Sequence, residues 1–208
     1  MQNDAFRPSP SDRETTLVAC ATILGFVGML RPHTFSQLKL SSFQLIKRNR
    51  GRVPVVGVAN YLKQHGGSDL CGFLITFKSK TMSVARAYFP NLSMPCSYYA
   101  RMCPVRAIVS LAQVGLFDDK SLKLMGRRGK LRKFLLKLTS TEKPVALYAL
   151  RIGGRTWNIS QGLDRQFVDY LGTWKSPEAS VRYYCEEPAA VLRKLRKFYD
   201  NLPDPTNL

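Results

Sequence analysis

The chain has 208 residues, with 32 Lys and Arg against 14 Asp and Glu and a formal net charge of +18. That length fits one domain, and 45% apolar residues with 11% aromatics are enough to bury a core, which excludes wholesale disorder. The basic excess excludes cationic substrates and points to a polyanion, either nucleic acid or an anionic membrane surface.

Residues 1–10, with Pro8 and Pro10, read as a flexible tail. Ser11 offers an N-cap with Glu14 as its capping-box partner, and a helix from about Asp12 to Leu30 follows. It is apolar on most faces, predicts deep burial and is ended or bent at Arg31-Pro32. The pattern then changes to aromatic and β-branched runs at Phe43–Ile46, Val53–Val58, Phe73–Phe77 and Val84–Phe89, which predict strands. The stretch from Phe73 into Val84 reads as a hairpin with Lys80 near its tip. Cys103-Pro104 starts a helix running to about Val114, with proline at the first helical position. Leu131, Phe134, Leu135 and Leu138 predict a second helix, and about Pro144 to Ser160 a third, closed by Gly162. Shorter helices are predicted at Asp164–Leu171 and Pro177–Cys185. The last, Ala189–Tyr199, sets Val191, Leu195 and Phe198 against Arg193, Lys194, Arg196 and Lys197 on the other face. The fold class is mainly α with a small antiparallel β-sheet, α+β, in one domain over residues 11–201 with a tail at 202–208.

Standard catalytic motifs are mostly missing. There is no GxxxxGK[ST] phosphate loop, and Gly153-Gly154 matches no dinucleotide fingerprint. His33 and His65, the two histidines, have no metal-ligand neighbour at i+3 or i+4, and few carboxylates are available to hold Mg²⁺. Neither a metal nor another cofactor is therefore predicted, and phosphodiester chemistry would need fixed cations and a side-chain nucleophile. The most apolar stretch, Leu17 to Leu30, is too short for a membrane span and follows no basic leader-like region. Five cysteines, Cys20, Cys71, Cys96, Cys103 and Cys185, lack paired CxxC spacing; they predict no zinc module, no disulfide framework and a reducing, intracellular setting.

The C-terminal third carries Tyr148-Ala149-Leu150-Arg151-Ile152-Gly153-Gly154-Arg155, then Gly162, Leu171-Gly172-Thr173-Trp174-Lys175-Ser176, and Arg182-Tyr183-Tyr184. This order resembles the catalytic domain of tyrosine recombinases of the phage-integrase type, especially those of eukaryotic mobile elements. The pattern there is His-x-x-Arg-x-Gly-Gly, a glycine, Leu-Gly-x-Trp-Lys-Ser and a tyrosine nine residues past the tryptophan, which is Tyr183 here. Gly25 to Pro32 is similar to the segment bearing the family's first arginine, Ser79-Lys80-Thr81 to its lysine box, and Cys103-Pro104-Val105 to the helix start after it. The resemblance spans about residues 12 to 187. It implies a site-specific recombinase or integrase, independent of metal and ATP, that cuts and rejoins DNA through a 3′-phosphotyrosyl intermediate.

By the same resemblance Arg31 and Arg151 hold the scissile phosphate, Tyr183 attacks it, Lys80 protonates the leaving 5′ oxygen, and Trp174 offers its indole N–H to the phosphate. The chemistry agrees with the residue types, because guanidinium forks match the non-bridging oxygens and a phosphotyrosyl bond conserves energy for religation. Each has a plainer reading: Arg31 as a helix C-terminal cation, Lys80 as a solvated hairpin residue, Trp174 as core, Tyr183 as a surface aromatic with Tyr184 its rival. The other cations cluster at Lys47, Arg48, Arg50 and Arg52, and from Lys120 to Lys137 with Arg127, Arg128, Lys130, Arg132 and Lys133. Against the alternatives of a solvated face or an import signal, these read as phosphate-backbone contacts, as do Arg155 and Lys175.

Two positions depart from the family pattern. Tyr148 replaces the histidine of the second box, and a phenol is a poorer proton shuttle at neutral pH than an imidazole. Thr34 stands where an acidic residue supports the first arginine. They leave open a recombinase-derived DNA-binding protein without chemistry, or a type IB topoisomerase-like enzyme without strand exchange. About ten residues precede the first helix, so the expectation is an isolated catalytic domain or a fragment, with the family's N-terminal clamp domain not in this sequence. The partner implied is double-stranded DNA, not a membrane, engaged by a homotetramer on two sites that exchanges its C-terminal helix. The compartment implied is the nucleus of a eukaryote or the nucleoid of a prokaryote.

Overall fold

The structure, a computed structural model, describes residues 13–35, 38–49, 51–78, 84–92, 98–117, 148–174 and 187–203. Among them seven α-helices surround a three-stranded antiparallel sheet, an α+β architecture. In chain order these are α1 (Arg13–Val27), α2 (Pro32–Phe35), β1 (Phe43–Lys47), α3 (Val58–His65), β2 (Leu70–Phe77), β3 (Ala85–Pro90), α4 (Pro104–Gln113), α5 (Tyr148–Ser160), α6 (Arg165–Leu171) and α7 (Pro188–Asp200).

Helix α1 is buried without a break from Thr16 to Ala21 and packs against both α4 and α5. It stops three residues before the predicted Leu30, because Met29 adopts a left-handed conformation at φ 49. Pro32, expected to end that helix, instead opens α2, where its fixed φ suits a first helical position.

The sheet runs in the order β1-β2-β3, with Leu45 opposite Phe73 and Phe73 opposite Phe89. One face carries Phe43, Leu45, Phe73, Ile75 and Phe89 into the core with α1, α3 and α4; Phe73 and Phe89 stack at 4.7 Å. The other face carries Ile46, Leu74 and Tyr88 toward Phe167, Leu171, Val191, Leu192 and Leu195 of α6 and α7. Helices cover both faces, so Leu70–Ile75 is buried throughout and reads as an unbroken apolar run, without the alternation of a half-exposed strand. Behind the sheet the buried Asn91 locks two loops: its Nδ2 donates to the carbonyls of Gly67 (3.1 Å) and Leu70 (2.8 Å). Cys103 donates to its Oδ1 at 3.5 Å. Cys20, Cys71 and Cys103 are buried free thiols.

The strand predicted over Val53–Val58 is not formed. Arg52 makes one bridge to Ile46, after which the chain finds no further ladder partner among the described residues. Val55 and Val56 are exposed, and Gly57, at φ 97, turns the chain into α3. Val58, Ala59 and Leu62 of that helix are buried, and α3 packs on α4. Helix α4 starts at Pro104 as predicted, and α5 ends at Ser160. Asp164 caps α6 by accepting from the Phe167 amide at 2.8 Å. Helix α7 lays Val191, Leu192 and Leu195 on β2 and β3 of its own chain.

Several expectations lie outside the described residues: the Ser11 cap, the tip of the β2–β3 hairpin, the helices at 131–138 and 177–185, and the tails at 1–10 and 204–208. The strands flanking the tip pair as expected, Phe77 opposite Ala85.

Candidate functional site

Arg151 organises the site. It sits in the first described turn of α5, 1% exposed, with Gly154 and Asn158 on the same buried face. What brings it so deep is Gly154: a Cβ there would lie 2.1 Å from the Phe26 carbonyl oxygen, so only glycine lets α5 press on the main chain of α1. The neighbouring Gly153 is not constrained in this way, since its nearest contact would be the Phe26 ring at 3.7 Å. Asn158 then ties α5 internally, its Nδ2 donating to the Gly154 carbonyl at 2.7 Å. It also ties α5 to α7 by accepting from the Tyr199 hydroxyl at 3.4 Å.

Two neighbours fix the Arg151 guanidinium and a third bears on its charge. Its Nη1 donates to the Met29 carbonyl, which the left-handed turn after α1 directs toward it. The Trp174 ring lies over its face, with the guanidinium carbon 3.7 Å from the ring centroid. Arg31, half-buried just beyond Met29, is near enough for its charge to be felt. Burial lowers the Arg151 guanidinium to about 10, the charge of Arg31 adds to that drop, and the Tyr148 hydroxyl opposes it. It stays cationic at neutral pH.

Two of its donors have no partner. Arg151 Nε and Nη2 are both buried and make no hydrogen bond. These two form one edge of the guanidinium fork, the edge that grips a carboxylate or phosphate with two parallel hydrogen bonds. A buried donor left unsatisfied costs about 1–3 kcal/mol, so the native chain holds this edge at a cost that an oxyanion would remove. Tyr148, 45% exposed and one turn before Arg151, brings its hydroxyl near enough to the guanidinium to favour its charged form.

Trp174 is seated by an equally particular backbone. Thr173 takes φ 56, and a Cβ on Gly172 would lie 1.6 Å from the Trp174 ring. Positive φ at a residue with a Cβ costs about 1–2 kcal/mol. Thr173 and Met29 are the non-glycine residues that adopt it among the described ones, and both flank Arg151. Near the ring, Arg155 makes a two-point ion pair with Asp169, Nε to Oδ1 at 2.7 Å and Nη2 to Oδ2 at 3.3 Å. The pairing raises its pKa against an opposing effect of burial.

Of the residues singled out in the sequence, Arg31, Tyr148, Arg151 and Trp174 are thus assembled in one place from three parts of the chain. Trp174 meets Arg151 with its ring face, whereas the resemblance assigned it an indole N–H contact with phosphate. Lys80, Tyr183 and Tyr184 lie outside the described residues, as do Arg50, Arg127, Arg128, Lys130, Arg132, Lys133 and Lys175. Arg48 is exposed, while the Lys47 ammonium rests 4.9 Å above the Tyr61 ring. Thr34 is buried, and its amide donates to the Arg31 carbonyl at 2.9 Å. Sequence reading missed Asp169, Met29 and the Gly172-Thr173 turn.

No helix among the described residues is long and apolar enough to cross a membrane, and no three of His, Cys, Asp and Glu gather there. No family model, no curated protein and no solved structure matches the chain.

Proposed function

We propose that this protein is a site-specific DNA recombinase of the tyrosine type, with the recombinase-like catalytic-domain fold, that cleaves and rejoins strands through a phosphotyrosyl bond. The observation that carries the reading is the buried Arg151 with its two-point edge free beside Arg31. Such a pair suits a phosphodiester, which needs positive charge at its two non-bridging oxygens as the in-line attack develops. The net charge of +18 and the ordered motifs from Arg31 to Tyr183 support it further.

In this reading Tyr183 is the nucleophile. Its oxygen loses its proton to solvent and forms the new P–O bond as the P–O5′ bond breaks, the phosphotyrosine stays on the 3′ end, and Lys80 gives its proton to the departing 5′ oxygen. Arg31 and Arg151 hold the phosphate, with the Tyr148 hydroxyl as a further donor. Religation is the reverse, with a 5′ hydroxyl of either strand as attacker. The remaining cations, Arg48 and the 120–137 segment among them, hold the duplex backbone and set the salt dependence of binding. Strand exchange between two sites needs four copies, with duplex DNA as the partner in the cell.

The experiment is a nicked duplex from which the cleaved end diffuses away, so that a covalent intermediate accumulates. An adduct lost in Tyr183→Phe supports the reading. An adduct that persists there and vanishes in Tyr184→Phe moves the nucleophile by one residue. A second reading is favoured by Tyr148 in place of histidine: a recombinase-derived DNA-binding protein without chemistry. It predicts salt-sensitive duplex binding with no adduct, and cleavage gained by Tyr148→His would speak against it. Relaxation of supercoiled plasmid by a monomer would favour the topoisomerase variant.

A further inference from the structure

We propose that Asp169 is a positioning residue for the arginine site, acting on Arg151 through Arg155 and Trp174. The inference rests on the reading of Arg151 as a phosphate-binding arginine. Asp169 bears on the tryptophan in two ways. Its backbone carbonyl accepts from the Trp174 amide at 2.9 Å, which fixes the base of the side chain. Its carboxylate grips Arg155 at two points, which fixes a second cation 5.5 Å from the ring centroid.

Two guanidinium groups from successive turns of α5 therefore lie near the ring, Arg151 at 3.7 Å and Arg155 at 5.5 Å from its centroid. The nearer cation is unpaired along one edge, and the farther one is neutralised by Asp169. This charge pattern matters. Without Asp169, Arg155 would be an unpaired cation near both Trp174 and Arg151.

Stacking fixes the plane of a guanidinium, and an end-on hydrogen bond fixes its rotation within that plane. Arg151 has both, from Trp174 and from Met29, which leaves the Nε–Nη2 edge pointing one way before any ligand arrives. A side chain preset like this loses little freedom on binding. Core packing alone would account for a half-buried tryptophan. It does not account for a ring laid on a cation by a left-handed Thr173 and a glycine that permits no Cβ.

The test uses the full chain carrying Trp157→Phe, which leaves Trp174 as the one fluorophore of its kind. Asp169→Asn keeps the size and the backbone carbonyl and removes the charge. Arg155→Gln breaks the same pair from the other side, and Asp169→Glu restores the charge. The probe is a short DNA duplex, with Arg151→Ala as the reference. Asp169→Asn and Arg155→Gln are expected to shift Trp174 emission to the red, to raise its quenching by acrylamide, and to weaken duplex binding about tenfold, the lower range for loss of a supporting partner. Asp169→Glu is expected to recover part of both. Loss of affinity in Arg151→Ala with wild-type affinity in both pair variants overturns the positioning role, whatever the emission does. Unchanged affinity in Arg151→Ala overturns the phosphate-site reading itself.

Discussion

Gly153 and Gly154 are adjacent, chemically identical and in the same helix, yet alanine should act on them with opposite signs. At Gly154 the new Cβ would stand 2.1 Å from the Phe26 carbonyl oxygen and 3.2 Å from Met29 Cγ. The first contact is main chain, which cannot rotate away, so α5 must separate from α1. Overpacking of this kind costs about 1–3 kcal/mol, and a backbone clash belongs at about 3. The better helix propensity of alanine recovers about 1 kcal/mol. The net loss of about 2 kcal/mol corresponds to about 4–8 °C in Tm for a chain of this size. At Gly153 the nearest contact is an ordinary 3.7 Å, so the propensity gain stands alone and Tm should rise by about 2–4 °C. Denaturant and thermal unfolding of the two single variants measure both numbers. A Gly154→Ala protein as stable as the parent, or a Gly153→Ala protein that falls with it, would refute the account of why Arg151 is buried.

Further expectations concern the thiols and the last helix. Burial raises the pKa of Cys20 and Cys103 above the ordinary thiol value of 9.0. An acid whose folded pKa is raised stabilises the fold below the unfolded value and loses that stability as pH climbs past it. Unfolding free energy should therefore fall above pH 9.0 by about 1.4 kcal/mol per pH unit for each thiol. Cys20→Ala should flatten that slope relative to the parent in denaturant titrations at alkaline pH, and an unchanged slope would count against a buried neutral thiol. Leu192 is fully buried against the sheet of its own chain, so Leu192→Ala should cost about 2–5 kcal/mol at every protein concentration. A cost that depends on concentration would mean that α7 is shared between copies.

The legible parts of the fold were those whose local pattern and tertiary role agree. The apolar α1 and the runs at Phe43, Phe73 and Ala85 announce a buried helix and a sheet, and Pro104 marks a helix start. Val53–Val58 misled because β-branched composition describes a side-chain preference, while a strand also needs a partner edge, and the chain turns away after Arg52. The missed helix there is eight residues long with a glycine at its N-cap, too short for periodicity to speak. At the site, the resemblance singled out Arg31, Arg151 and Trp174, and the structure lays the Trp174 ring on the Arg151 guanidinium with the charge of Arg31 felt there. The Arg155–Asp169 pair was not visible, because its members are on different helices and only the angle between α5 and α6 brings them together. The turns at Met29 and Thr173 were hidden for a related reason: a positive φ at a residue with a Cβ is imposed by packing and runs against local preference.

The most direct test of the central claim, that the free edge of Arg151 serves a reacting phosphodiester, is the rate of covalent adduct formation on the nicked duplex without ATP and in a chelator. The wild-type chain is predicted to form the adduct, Tyr183→Phe to form none, and Arg151→Ala to form it more slowly by about 10²–10³, the loss typical of one preorganised donor at a developing charge. Adduct formation that proceeds at the wild-type rate in Arg151→Ala would contradict the claim.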